Sequence, residues 1–369
     1  MRAIRHLREK SFARNRFPVK LDPAPEGVNG PPDHRIVTGV PVARITIKDV
    51  AALAGVSPST VSRALNGGPT VARALRERVL TAARELEYRP NSQARSLRTR
   101  ATTVLGVIIS DITNPFFTSL VRGAEDAASR AGFSVVLANT DEDLDKEQRY
   151  LEVAAAESMA GVILSPASTT RTSIALMQER GIPVVTIDRR LRTADVDRVG
   201  VNNVKAAQEA VLRLVAQGCR RVAFIAGPPD VTTAADRLAG YKHGLKAAAL
   251  PYDRALVARG DYRIGGGKSA AQALLERRPD ALFVSNNLMT LGAVAAMRER
   301  GLRYPDDIAV AAFDDMSWTL GLADAMTLIS QPTYDIGRHA AELLLRRVAG
   351  ERFPPSHVVL QARLSQHWA

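Results

Sequence analysis

The chain is poor in cysteine, in aromatics and in long apolar runs, and each shortage removes a class of protein. One cysteine, Cys219, stands among 369 residues, so neither a disulfide framework nor a thiolate metal site can be built. It lies just before an apolar run and reads as ordinary packing. Phe, Trp and Tyr together make up 5% of the sequence against 46% apolar residues overall, which fits a soluble α/β protein with a sizeable core. No apolar run approaches the ~18 residues that would span a membrane, and the basic opening MRAIRHLREKSFARNRF lacks the apolar stretch of a secretory signal. No membrane partner and a cytoplasmic, nucleoid-associated location are therefore expected. The six histidines lie away from the predicted strand ends, which argues against a nucleophile–base triad. GGGKSA (265–270) ends like a phosphate loop, but the glycine that motif needs five positions before Gly267 is Tyr262. The chain is thus read as no enzyme, with no catalytic residue, no metal and no cofactor.

Acidic charge is scarce in one place only. Residues 1–100 carry 19 Lys+Arg against 8 Asp+Glu, whereas the remaining 269 residues carry 31 against 30. The excess behind the net +12 is therefore confined to one end, where a polyanion partner is expected. Residues 1–43 are rich in Arg, Pro and Gly and show no sustained periodicity. They read as a disordered extension, with the translation start expected nearer Val40 or Val42.

Ile45–Gly67 follows as two short helices joined by a tight turn. Thr46 and Asp49 make a capping-box-like start, and Ala51, Ala52 and Ala54 keep the first helix slim. Gly55 supplies a left-handed turn, Ser57 caps the second helix and Pro58 takes its first position. Val56, Val61, Ala64 and Leu65 fall on the inner face, leaving Pro58, Ser59, Ser62, Arg63 and Asn66 outside. A small, polar, Arg-bearing outer face suits a reader of the DNA major groove. Gly67-Gly68-Pro69 breaks the chain, and a third helix is expected over Arg73–Glu87 with Leu75, Val79, Ala82, Ala83 and Leu86 inward. NSQARSLRTR (91–100) has too few apolar residues to fold alone and reads as a linker ordered only on a partner.

From Thr103 onward apolar runs alternate with amphipathic helices: 104–109, 134–138, 161–165, 183–187, 221–226, 281–285 and 308–313. Such alternation predicts parallel sheets covered on both faces. The phasing restarts near Val201–Val204, which divides the region into two units. Ligands of open α/β sheets sit beyond the carboxyl ends of the strands. Those positions hold Asn114, Phe116 and Phe117, with Asp111 beside them. They also hold Asp188, Arg189, Tyr262, Asn286, Asp314 and Gln331, with Arg237 on a following helix. Carboxylates, amides and guanidinium groups with aromatics suit a small polyhydroxylated ligand.

On these residues the chain resembles the lactose-repressor (LacI/GalR-type) family of bacterial transcription regulators, from about Arg44 to the C-terminus. TIKDVAALAGVSPSTVSRALNG departs little from the family's helix-turn-helix, and YRPNSQARSL (88–97) is similar to its hinge helix. The resemblance implies that Pro58, Ser59 and Arg63 face bases while Ser57, Thr60, Ser62 and Asn66 hold phosphates. Thr46, Thr70 and Asn91 complete the DNA-facing set. Leu97 would wedge into the minor groove at the operator centre, with Ala94 letting two hinge helices approach. The rest resembles periplasmic sugar-binding proteins, most closely those for ribose, and all ten strand-end residues match that subgroup. Two departures are Asn202-Asn203, where the family has Asp-Asn, and Asn286-Asn287, where it has Asn-Asp. The first is expected to change one hydroxyl contact, and the second to leave the ligand-facing Asn286 intact.

The implied architecture is an all-α helix-turn-helix DNA-binding domain (44–90), a hinge and linker (91–102) and an α/β sensor of two doubly wound parallel-sheet lobes (103–369). The implied partners are near-palindromic operator DNA, a small sugar such as ribose and a second copy of the chain, giving a homodimer. A nucleoside, purine or hexose effector is the alternative, and a sugar-binding protein without a regulatory role a more distant one.

Overall fold

The computed structural model describes residues 45–65, 71–86, 88, 102–316, 319, 321 and 325–366. The chain divides into two compact units, Met1–Pro90 and Asn91–Ala369. In the first, α1 (Ile47–Ala54), α2 (Pro58–Leu65) and α3 (Arg73–Glu85) pack around Val50, Ala51, Ala54, Val61, Val79 and Ala82. The Asp49 carboxylate accepts both the N–H and the hydroxyl of Thr46, 2.7 Å each. The hydroxyl bond is the larger reason that carboxyl lies below its ordinary range. Gly55 ends α1 at φ 61°, a backbone region that costs glycine no Cβ clash. Arg78 of α3 donates to the Ala54 carbonyl at 2.7 Å and so ties the third helix to that turn. The third helix is two residues shorter than expected, and half-buried Tyr88 beyond it packs on the same core.

The second unit holds two α/β/α lobes. The first sheet runs β11-β5-β4-β3-β1-β2 and is parallel throughout. Its strands are β1 (Val104–Ile109), β2 (Ser134–Asn139), β3 (Gly161–Leu164), β4 (Val184–Ile187), β5 (Asp197–Val201) and β11 (His357–Leu360). Its helices α4 (Pro115–Arg130) and α11 (Thr333–Val348) cover one face, α5 (Leu144–Ala156) and α6 (Ala175–Glu179) the other. The second sheet runs β12-β10-β9-β8-β6-β7. Its strands are β6 (Val222–Ala226), β7 (Val257–Arg259), β8 (Ala281–Val284), β9 (Ala309–Phe313), β10 (Thr327–Ser330) and β12 (Arg363–Gln366). It is flanked by α7 (Asn203–Ala216) and α8 (Thr232–Ala247) on one face and by α9 (Ile264–Leu275) and α10 (Asn287–Glu299) on the other. β12 runs antiparallel to β10, a departure from the all-parallel expectation.

The lobes are not consecutive halves of the sequence. The chain crosses at β5–α7 where the phasing restarts, and then twice more: β10 of the second sheet leads to α11 on the first, and β11 of the first leads to β12 of the second. Asn202 ties two crossings together. Its Nδ2 donates to Gln361 Oε1 and its Oδ1 accepts the Ala362 N–H, 2.8 Å each. It therefore ties the crossings between the lobes and does not line the cleft between them. Helices α4 and α11 cross so closely that a Cβ on Gly337 would stand 1.8 Å from the Leu120 carbonyl oxygen. Only glycine permits that approach.

Candidate functional site

The first unit presents the outer face of α2. Ser57 accepts the Thr60 N–H at 3.2 Å, and its hydroxyl lies 2.8 Å from those of both Ser59 and Thr60. Pro58, Ser59 and Arg63 are exposed, while Thr60 and Ser62 are half-buried. The Arg63 Nε donates to the Ser59 carbonyl at 3.4 Å, which lays the side chain along the exposed face. Thr46 sits exposed at the start of α1, its hydroxyl committed to Asp49. Among its described residues the outer face of α2 is thus hydroxyls, a proline ring and one cation, without a carboxylate. Of the remaining expected DNA-facing residues, Asn66, Thr70, Asn91, Ala94 and Leu97 lie outside the described residues.

In the second unit a cleft between the lobes encloses about 460 Å³, its mouth included, and all ten expected effector residues line it. Their positions follow from local folding. Asn114 caps α4, its Oδ1 accepting the Phe116 N–H at 3.0 Å. The first turn of that helix presents Phe116 and Phe117 edge to face, 5.0 Å between centroids. β4 is followed by Asp188-Arg189, β9 by Asp314 and β10 by Gln331. Asn286 caps α10 through the Met289 N–H at 2.9 Å and donates to the Tyr262 carbonyl at 3.1 Å. Arg237 of α8 is held by Asn203 Oδ1 at 2.8 Å and by the Ser285 carbonyl at 2.5 Å. Its guanidinium lies 3.9 Å from the centroid of the Phe313 ring. Asn203 thereby acts behind the cleft wall, as support for Arg237.

Three of these ten are non-glycine residues in the left-handed region: Asp188 at φ 61°, Tyr262 at φ 65° and Asp314 at φ 77°. Such backbone costs of order 1–3 kcal/mol per residue and gathers where function over-determines structure. Burial pushes the Asp188 and Asp314 carboxyls up, and only partly do Arg189 and Arg237 pull the first, and Arg237 and the Gln331 amide the second, back down. Burial also pushes the Tyr262 phenol up. Burial opposes the charge on Arg189, yet Glu142 and Asp188 hold it above its ordinary range. Two buried polar atoms of the wall have no hydrogen-bond partner, the Arg189 Nε donor and the Gln331 Oε1 acceptor. Unsatisfied, each costs roughly 1–3 kcal/mol; a ligand offering hydroxyls satisfies both kinds.

Four lining residues lay outside the sequence-derived set: Glu142, Thr233, Asp261 and Arg263; a fifth, Asp111, lies on the stretch flagged after β1. Glu142 sits three residues beyond β2, where the strand-end rule applied to that strand would have found it. Asp261 and Arg263 flank Tyr262. Several bonds bridge the lobes: Asn287 Nδ2 donates to Asn114 Oδ1 at 2.9 Å, Arg190 pairs with Asp236 at 2.8 Å and Arg263 donates to the Asp141 carbonyl at 2.9 Å. The bond from Asn287 needs an amide, since a carboxylate at that place has no N–H to give. Among the described residues no group of His, Cys, Asp and Glu could hold a metal ion, and no helix is long and apolar enough to cross a membrane.

A helix-turn-helix face together with a polyol-suited cleft between two α/β lobes defines a class, a ligand-responsive DNA-binding regulator, and comparison with known proteins gives it a family. Residues 46–91 match the family of bacterial regulatory proteins of the lacI type. Residues 102–368 match the periplasmic binding proteins and sugar-binding domain of the LacI family. The ribose operon repressor of Halalkalibacterium halodurans is 37% identical over 305 residues, 82% of this chain and 90% of that protein. The structure of the transcriptional regulator CelR in complex with cellobiose is 35% identical, covers 87% of this chain and 98% of that one, and superposes with a TM-score of 0.67. The lac repressor dimer bound to operator and an anti-inducer is 26% identical, covers 88% and 99%, and gives a TM-score of 0.77. The chain belongs to the LacI family of transcriptional regulators, a family of regulators and not of enzymes, and carries its sugar-binding domain.

Proposed function

We propose that the protein is a dimeric repressor whose operator affinity is set by a pentose, ribose or a close relative, bound between the lobes. The observation that carries the reading is the convergence of ten strand-end residues on one cleft. Phe116 and Phe117 line the cleft from one lobe and Tyr262 from the other, and interlobe bonds from Asn287 and Arg263 stand beside it, which favours a small ligand over a disaccharide. Five carboxylates against three guanidinium groups in the lining disfavour anions, so a neutral polyol is preferred to a phosphorylated sugar or nucleotide.

The proposed mechanism is linkage. Residues 91–97, which lie outside the described residues, would meet the operator where two subunits sit side by side on its near-palindrome. A sugar closing the lobes would change the separation of their outer ends and so the fit of two subunits to the operator. Operator binding must alter sugar affinity by the same factor. Pro58, Ser59 and Arg63 would then read bases, and action on operator DNA would place the protein in the cytoplasm.

The test is a thermal-shift screen of pentoses, hexoses, nucleosides, purines and cellobiose on the full chain. A stabilisation by ribose that Asp314→Ala erases supports the reading. A response to cellobiose or a purine with none to any pentose overturns it.

A further inference from the structure

Glu142 follows Asp141 just beyond the end of β2, and both residues lie in the left-handed region, at φ 64° and φ 55°. The pair is pinned from both sides. The Asp141 carboxylate is held by Asn139 Nδ2 at 2.7 Å and by Lys146, and its carbonyl accepts Arg263 of the second lobe. Two consecutive strained residues, fixed in this way, deliver the Glu142 carboxylate to Arg189.

There it takes the end of the guanidinium in a two-pronged pair, Nη1 to Oε2 at 2.5 Å and Nη2 to Oε1 at 2.6 Å. The second hydrogen of Nη1 goes to the Pro166 carbonyl at 3.0 Å. One edge of the group remains, formed by Nε–H and the outer hydrogen of Nη2. Arg189 is 3% exposed and its Nε has no hydrogen-bond partner. The neighbouring Asp188 carboxylate pairs electrostatically with that Nε at 3.5 Å without making a hydrogen bond. A guanidinium edge offers two parallel donors and fits two adjacent acceptor oxygens. A carboxylate ligand would meet the acidic lining, whereas a vicinal diol supplies two acceptors and can donate its hydroxyl hydrogens to Asp188.

We infer that Glu142 is a positioning residue: by occupying one end of Arg189 it turns the Nε/Nη2 edge into a fork that, beside Asp188, reads a pair of adjacent hydroxyls on the effector. This rests on the pentose reading and adds to it a residue and a chemical group. Without Glu142 the guanidinium rotates, and preference for the diol is lost.

Calorimetry on the full chain and on Glu142→Gln, with D-ribose and its 2-deoxy and 3-deoxy analogues, tests it. Every vicinal pair of ring hydroxyls in ribose loses a member in one analogue or the other. The ribose Kd should rise at least tenfold in E142Q, while the Kd of whichever analogue binds the wild type more weakly changes less than threefold. An equal rise for all three sugars means a merely structural role and overturns the inference. Binding of none of them by the wild type overturns the pentose reading instead. The inference is then decided without sugar by the Arg189 side-chain nitrogen resonances, separate in the wild type if the group is locked and merged in E142Q. Resonances already merged in the wild type, or unchanged in E142Q, overturn it.

Discussion

Asp188→Asn should make the protein more stable and less able to bind its effector. The Asp188 side chain is 10% exposed, its Arg189 partner stands 3.5 Å away at Nε, and Arg237 adds a second cation. Glu142, which shares Arg189, and Asp314 add like charge. Burial is the chief reason its carboxyl is raised, so the ionised form is penalised in the fold at neutral pH. An amide keeps the shape, keeps an acceptor for Arg189 and tolerates φ 61°, since asparagine is among the residues enriched in the left-handed region. Relieving a functional penalty of this kind gives about 0.5–2 kcal/mol, and each kcal/mol moves the melting point by roughly 2–4 °C in a large domain. The sign with pH follows from linkage. A carboxyl raised above its unfolded value of about 3.9 carries its full penalty above the raised value. The penalty shrinks as pH falls through that value and is gone below about 3.9. The advantage of D188N in calorimetric melts is therefore largest near neutrality and vanishes in acid. Sugar affinity should fall by about 10–100-fold, the worth of a hydrogen bond to a charged group. D188N melting below the wild type at neutral pH, without sugar, would refute the reasoning.

Arg63→Ala should cost operator discrimination about 1–3 kcal/mol and spare non-specific DNA affinity, measured by titrating operator and scrambled duplexes at one salt concentration. Asn287→Ala removes the amide that bridges to Asn114. Sugar affinity should drop severalfold while the melting point of the free protein moves by little, since one hydrogen bond is worth about 1 kcal/mol. Gly337→Ala places a Cβ against the Leu120 carbonyl oxygen and should cost at least 1–3 kcal/mol, about the price of overpacking a core, seen as a lower denaturation midpoint.

The sheets were legible because buried parallel strands are continuous apolar runs. The strands outside the seven runs are β5, which opens on Asp197-Arg198, the three-residue β7, the four-residue β10, marked only by the strand-end Gln331 after it, and β11 and β12, which lie on sheet edges where burial does not fix the pattern. Crossings back between lobes left no trace, because periodicity tells that a strand is buried but not in which sheet. The cleft was readable where the strand-end rule met polar residues directly, as at Asp188, Asn286 and Asp314. Glu142 escaped because two left-handed residues redirect the chain after β2, a conformation that Asp-Glu does not announce. The departure from the family's Asp at Asn202 was expected to change one hydroxyl contact, yet the Asn202 amide ties the lobe crossings together, since Gln361 and Ala362 return beside it from far along the chain.

The central claim is that one small sugar, held in the interlobe cleft, controls operator binding. The most direct measurement is operator affinity of the full chain with and without saturating D-ribose, paired with ribose affinity on and off the operator. The account predicts that ribose weakens operator binding by roughly 5–150-fold and that operator weakens ribose binding by the same factor. Ribose that binds while leaving operator affinity unchanged would contradict it.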